Sequence, residues 1–169
     1  MKPQYHAVIS GTVALALTPA LGLNSAIFWV SSVLVDGDHY VEYVYCNGFK
    51  DYSIKRMFEF YCLLSKSRKE PDFLSLNLMH SAEFILLISV ATAMTGWVWL
   101  IATLGGIFLH ILLDLFDMYL HGILFRRSLS IIEYFIRLRR MKRQGIRPEL
   151  HYQSVLESMF GRQDRSKTR

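Results

Sequence analysis

Apolar residues are concentrated in two blocks of the chain, residues 6–35 and 73–124, which polar segments separate and follow. Pro19 and Gly22 interrupt the first block, since proline removes a helical hydrogen bond and glycine loosens the backbone. The interruption permits a hairpin of two short helices or one kinked helix of about 45 Å, at a rise of about 1.5 Å per residue. We favour the hairpin, because it returns the acidic end of the block to the side on which the block began.

The second block predicts two helices joined by a turn at Gly96. Trp97 and Trp99 follow this turn, as tryptophans do at the interface between a membrane and water. The pair Gly105 and Gly106 would let a neighbouring helix pack closely. Together the two blocks predict about four membrane crossings, over residues 6–18, 21–35, 74–94 and 97–121.

Both polar segments carry the pattern of amphipathic helices. In residues 40–72 the apolar side chains that recur at helical spacing are Ile54, Met57, Phe58, Tyr61 and Leu64. Beyond residue 126 the apolar side of an otherwise basic helix consists of Ile131, Tyr134, Phe135 and Leu138. We therefore predict an amphipathic insertion within residues 40–72, and a basic amphipathic helix with a flexible tail within residues 126–169.

Composition and charge placement favour one integral membrane domain. The chain has 169 residues, 52% of them hydrophobic, and a net charge of +5. With the N-terminus in the cytoplasm, four crossings leave every lysine and arginine on the cytoplasmic side, as the positive-inside rule requires. We predict an all-α bundle, residues 1–125, in a bacterial-type inner membrane with both termini cytoplasmic and with anionic lipid headgroups as partners of the basic helix. Because no RNA motif or zinc finger accompanies the charge, we expect no specific nucleic acid partner.

The last predicted crossing carries a polar stripe, formed by His110, Asp114, Asp117 and His121. At about 3.6 residues per turn, these positions fall within roughly 60° of one another on one face of a helix. An ionised carboxylate inside hydrocarbon costs at least about 2.5 to 3.5 kcal/mol, so the two aspartates need a compensating partner. A bound metal ion is the most economical partner.

Further acidic and imidazole side chains stand near the cytoplasmic ends of the other predicted helices, at His6, Asp36, Asp38, His80 and Glu83. The predicted topology brings them to the same half of the bundle as the polar stripe. Imidazole nitrogens and carboxylate oxygens are ligands of zinc, manganese and iron, and the absence of cysteine from the set argues against a purely structural zinc site. More than four candidate ligands suggest two metal ions, an arrangement that activates water and clamps a phosphate ester.

Four motifs occur in order over residues 6–121: an early histidine, Asp-x-Asp-His after an apolar helix, His-Ser opening the next helix, and a glycine-rich approach to His-x-x-x-Asp. Their residues are His6; Asp36, Asp38 and His39; His80 and Ser81; and Gly105, Gly106, His110 and Asp114. The set resembles the YdjM-like family of bacterial inner-membrane metal-dependent hydrolases, distantly grouped with zinc-dependent phospholipase C and single-strand-specific nucleases. The chain departs from that family at Val35, where proline is usual, and at Ser75 and Leu76, where a His-Arg pair is common.

Residues and resemblance together predict a membrane-embedded hydrolase of phosphoesters, either small molecules or lipids, with one or two divalent ions that are zinc or else manganese. The predicted metal ligands are His6, Asp36, Asp38, His80, His110 and Asp114. Glu83 would be a ligand or the general base, Asp38 would be the other catalytic carboxylate, and the residues that orient the ligands would be His39, Asp117 and His121. Two other classes stay open: a scaffold in which these side chains form buried hydrogen-bonded pairs, and a cation or proton transporter that uses the stripe as its pathway.

Overall fold

The computed structural model describes residues 3–124 and 127–167. Within these ranges the chain is mostly helical, which confirms the predicted all-α class. The α-helices are α1 Pro3–Leu21, α2 Asn24–Leu34, α3 Gly37–Cys46, α4 Ile54–Ser67, α5 Ala82–Thr95, α6 Val98–Leu120, α7 Ile131–Arg143 and α8 Glu149–Lys167. Between α4 and α5 lie a short strand, β1 Ser75–Leu76, and a 3₁₀ turn, Leu78–His80, and a second strand, β2 Arg127–Ser128, precedes α7.

Helices α1 and α2 form the favoured hairpin rather than one kinked helix. The chain turns at Gly22, whose φ of 55° is a left-handed value that glycine adopts at little steric cost. The Nε1–H of Trp29 donates to the carbonyl of Ala7 over 2.9 Å, so the later turns of α2 lie beside the start of α1. Pro19 is contained within the last turns of α1, and the break therefore lies at Gly22 instead.

Helix α6 packs closely against α2 through its pair of glycines. A Cβ atom built on Gly106 would lie 2.2 Å from the carbonyl oxygen of Phe28 and 2.3 Å from Ser31 Oγ. A Cβ atom on Gly105 would meet the ring of Phe28 at 3.2 Å. The close approach expected of this glycine pair is confirmed, and the structure identifies α2 as the neighbouring helix.

One helix among the described residues, α6, is long and apolar enough to cross a membrane, and 28% of its most apolar window is buried within the protein. Helices α2 and α5 have 11 and 14 residues. At about 1.5 Å per residue they reach only about 17 and 21 Å, against ~30 Å of hydrocarbon. The predicted bundle of about four membrane crossings is therefore not confirmed.

The polar insertion and the C-terminal segment build a core of their own. The amphipathic helix expected within residues 40–72 is α4, which buries Phe60 and Leu64 against Tyr43 of α3. The basic amphipathic helix is α7. Helix α8 was not predicted, since only a tail was expected there, but its Val155 and Met159 pack into the same core.

The two short strands connect the segment after α6 to the segment before α5. They pair in parallel, with Ser75 opposite Arg127 and Leu76 opposite Ser128. The N–H of Ala82, at the start of α5, donates to the carbonyl of the residue after β2, Leu129, over 2.8 Å. This pairing places Arg127 beside the 3₁₀ turn and the C-terminal half of α6.

Candidate metal centre

Four segments of the chain meet around one buried cluster of histidines and aspartates. Helix α1 contributes His6, the junction of α2 and α3 contributes Asp36, and the 3₁₀ turn contributes His80. Helix α6 contributes His110 and Asp114, one turn apart on a single face. The three histidines are each at most 2% exposed.

The rings of His80 and His110 face each other at the centre of the cluster. Their Nε2 atoms are 3.1 Å apart. Asp114 Oδ2 lies 3.6 Å from Nε2 of His80 and 3.8 Å from Nε2 of His110. In a tetrahedral site with bonds of about 2.0 to 2.1 Å, donor atoms lie about 3.3 Å apart. The three donor atoms therefore have nearly the spacing that one tetrahedral ion requires.

Hydrogen bonds at the far side of each ring fix which nitrogen carries the proton. Nδ1 of His110 is 2.6 Å from the carbonyl oxygen of Ser32, an oxygen that can only accept. Nδ1 of His80 is 3.0 Å from Oδ2 of Asp38, and the same oxygen accepts from the N–H of Met79. When both rings are neutral, protons on the two Nδ1 atoms leave two Nε2 lone pairs that face each other. A shared cation between them removes this repulsion, and such outer hydrogen bonds are typical of histidines that bind metal.

A second group of possible ligands shares His110 with the first. Asp36 Oδ1 lies 3.4 Å from Nε2 of His110 and 3.9 Å from Nε2 of His80. His6 stacks on His110 with ring centroids 4.0 Å apart, and its Nε2 is 3.1 Å from Asp114 Oδ1. Among the described residues, Nδ1 of His6 is buried without a hydrogen-bond partner. A buried imidazole nitrogen in this position is a further ligand atom available to an ion.

The charges around the cluster keep its acidic groups ionised. Arg127 Nη1 contacts Asp114 Oδ2 at 3.1 Å. Burial raises the pKa of the Asp38 carboxyl, but the hydrogen bond to His80 and the nearby charge of Arg127 hold that pKa below its ordinary value. Burial lowers the pKa of His39 to about 4, so its imidazole is neutral at pH 7. Ionised carboxylates and neutral imidazoles are the protonation states that bind divalent metals.

A cavity of about 370 Å³ reaches the cluster from one side. Asp36, His39, Asp114 and Arg127 form its polar end, together with Asn77, whose side chain lies 2.8 Å from Nδ1 of His39. The volume falls in the range of small-molecule sites, about 300 to 1,000 Å³. A ligand in this cavity can touch two of the aspartates of the cluster.

Three of the predicted site residues lie outside the cluster. The carboxylate of Glu83 accepts hydrogen bonds from Ser130 Oγ and from the N–H of Ile131, so it holds the N-terminus of α7 instead of a metal ion or a water. His121 is exposed, and its Nδ1 is 2.7 Å from the carbonyl oxygen of Asp117. Asp117 lines the cavity without entering either group of ligands.

Asp38 and His39 belong to the surroundings of the cluster. Asp38 holds His80 through Nδ1, and this contact makes it a positioning residue rather than a ligand. Nε2 of His39 lies 3.5 Å from Asp36 Oδ1, so His39 contacts one of the predicted ligands. Arg127 was not anticipated as a site residue, because in the sequence it is one of many basic residues that follow α6.

Comparison of the chain with protein-family models, with curated proteins and with solved structures found no match.

Proposed function

We propose that this protein is a membrane-bound, metal-dependent hydrolase of phosphoesters, of the kind that the YdjM-like resemblance implies. The observation that carries the proposal is the pair of facing Nε2 atoms of His80 and His110, each with its proton held on the opposite nitrogen. A scaffold needs no such arrangement, since hydrogen-bonded pairs would point a donor at an acceptor. The cavity is lined by Asp36 and Asp114 of the cluster, and it would give a substrate access to an ion held there.

We propose one ion, held by His80 and His110 and by an oxygen of Asp114, with His6 and Asp36 completing its surroundings. The two groups of ligands share Nε2 of His110, and one nitrogen lone pair binds one ion at a time. Mixed imidazole and carboxylate ligands suit zinc first and manganese second. A divalent ion supplies a polarised phosphoryl oxygen and a water of lowered pKa.

The chain's own residues would do the rest of the chemistry. Asp38 and the carbonyl of Ser32 fix the two imidazole rings, so the ligands need little rearrangement when an ion binds. The guanidinium of Arg127 lines the cavity beside Asp114 and offers a donor to a phosphate oxygen. We assign Glu83 no part in this chemistry, because its carboxylate accepts hydrogen bonds from Ser130 and Ile131 at the start of α7.

We also propose that the chain crosses a bacterial-type inner membrane more than once, with both termini cytoplasmic. The support is the exposed apolar surface of the helices around α6. In α6 itself, Leu112 and Phe116 are 61% and 59% exposed, and in α5 Leu86 and Met94 are 64% and 81% exposed. A core helix of a soluble protein would bury such side chains, because apolar surface gains free energy when it leaves water. Helix α5 buries no residue at all.

Hydrolysis of ethyl 4-nitrophenyl phosphate by the purified protein tests the proposed activity. The protein is stripped with a chelator, and zinc or manganese is then returned. We expect released 4-nitrophenolate only after the metal is returned, and a loss of at least 100-fold in kcat for His80→Gln. His121→Gln is the matched control, because His121 is exposed and lies outside the cluster. Metal-independent turnover, or equal rates for the two variants, would refute the proposal.

A further inference from the structure

The cavity beside the metal centre has two chemically different ends. Its polar end holds the carboxylates of Asp36, Asp114 and Asp117 and two arginines, Arg68 and Arg127. Its other wall is apolar and is formed by side chains of the end of α2, of α4 and of the end of α6: Val33, Leu34, Ile54, Met57, Phe58 and Met118. With a divalent ion bound beside the two arginines, a ligand that is anionic at one end and apolar at the other would match this lining.

Arg127 is placed to receive the anionic end. Its side chain is 10% exposed, and its Nη1 contacts Asp114 Oδ2 at 3.1 Å. Its Nε is buried and has no hydrogen-bond partner among the described residues. A buried guanidinium N–H without a partner costs free energy until an acceptor binds, and a phosphate oxygen is the acceptor that guanidinium geometry matches best. Arg68 adds a second positive charge to the same cavity.

The apolar wall continues onto the outer surface of the protein. Leu34, Ile54 and Phe58 all line the cavity, yet they are 62%, 62% and 51% exposed. Leu34 ends α2, which packs against α6, the helix that is long and apolar enough to cross a membrane. The apolar side of the cavity therefore opens beside the hydrocarbon that α6 would occupy.

We propose that the substrate is a lipid phosphoester, whose phosphate binds Arg127 beside the metal centre and whose hydrocarbon chain lies along Leu34, Met57 and Phe58. This inference rests on the proposed hydrolase function. Hydrolysis forms a bond between the oxygen of water and phosphorus and breaks the bond from phosphorus to the leaving oxygen. One proton of the water goes to the leaving alcohol or phenol, and the products are that compound and a phosphate with one ester bond fewer.

Two substrates with the same reacting centre test the chain-binding part of the proposal. Ethyl and hexadecyl 4-nitrophenyl phosphate are both phosphodiesters with the same leaving group, and they differ only in chain length. Rates are measured on the zinc-loaded, full-length protein in mixed micelles. We expect kcat/KM for the hexadecyl ester to exceed that for the ethyl ester by at least 100-fold. We expect Phe58→Ser to lower this preference at least tenfold.

Phe135→Ser is the matched control, because Phe135 is 53% exposed, like Phe58, but lies on α7 away from the cavity. Its preference should equal that of the wild type. Equal rates for the two esters, or the same preference in Phe58→Ser and the wild type, would overturn the lipid assignment and leave the hydrolase proposal standing. Failure of the loaded wild type to hydrolyse either ester would refute both.

Discussion

Replacing Gly106 by alanine should damage the metal centre from a distance, through the contact of α6 with α2. The added Cβ would stand 2.2 Å from the carbonyl oxygen of Phe28, whereas real Cβ atoms essentially never approach other atoms within 3.0 Å. The atom in the way belongs to backbone, so the two helices must separate by about 0.8 Å or more. Overpacking of this kind costs about 1 to 3 kcal/mol, and the helix propensity of alanine returns about 1 kcal/mol.

The same displacement should weaken metal binding. Ser32 lies one turn beyond Phe28 on α2, and its carbonyl fixes Nδ1 of His110 over 2.6 Å. A shift of about 0.8 Å stretches this hydrogen bond beyond normal length. Loss of such an orienting contact typically lowers metal affinity about 10- to 100-fold.

Thermal unfolding in detergent and a competitive zinc titration measure both effects. The net cost is about 1 kcal/mol, so we expect Gly106→Ala to lower the Tm by about 3 °C in a chain of this size and to weaken zinc binding. Gly105→Ala is the control on the neighbouring residue, since its Cβ would meet only the ring of Phe28 at 3.2 Å, and a side chain can yield. Equal Tm and equal zinc affinity for the two variants would show that the close approach of α2 does not hold the site.

Three further predictions concern residues around the centre. Asp38→Asn should weaken zinc binding about 10- to 100-fold in the same titration, because it removes the charged partner of His80; unchanged affinity would contradict the role given to Asp38. Glu83→Gln should leave the zinc content of the purified protein unchanged and increase hydrogen exchange in α7, because the carboxylate of Glu83 accepts hydrogen bonds from the first N–H groups of that helix. A loss of zinc would show that Glu83 contributes to the metal site. Burial raises the pKa of Glu42 to about 7, so the stability that this group contributes is complete below its ordinary pKa of 4.5 and is lost as the pH rises through 7. The loss should reach at most about 3 kcal/mol in urea unfolding between pH 5 and pH 8, and a Glu42→Gln variant with the same pH dependence as the wild type would contradict it.

Much of the cluster could be predicted from the sequence because its residues are chemically out of place there. Histidines and aspartates within apolar helices need a partner, and helical periodicity puts His110 and Asp114 on one face. The interruption near Pro19 predicts a hairpin, which returns the chain to the side of His6. The structure confirms this hairpin. The pattern of α4 was equally readable, since its apolar positions recur at helical spacing.

What the sequence did not reveal depends on tertiary contacts that have no local signature. Glu83 was predicted to be a metal ligand or a general base because it stands in an apolar segment, but its carboxylate accepts hydrogen bonds from N–H groups of α7, a helix far along the chain. Arg127 reaches Asp114 only because β2 pairs with β1. Helix α8 was missed since its polar sequence hides the two residues that it buries in the second core.

The metal content of the purified, full-length protein tests the central claim most directly. Metal is measured by mass spectrometry after extensive washing, in the wild type, in a variant that combines His110→Ala and Asp114→Ala, and in His121→Ala. We predict about one zinc or manganese ion per chain in the wild type and in His121→Ala, and none in the double variant. Equal metal content in all three proteins, or no metal in the wild type even after reconstitution, would contradict the account.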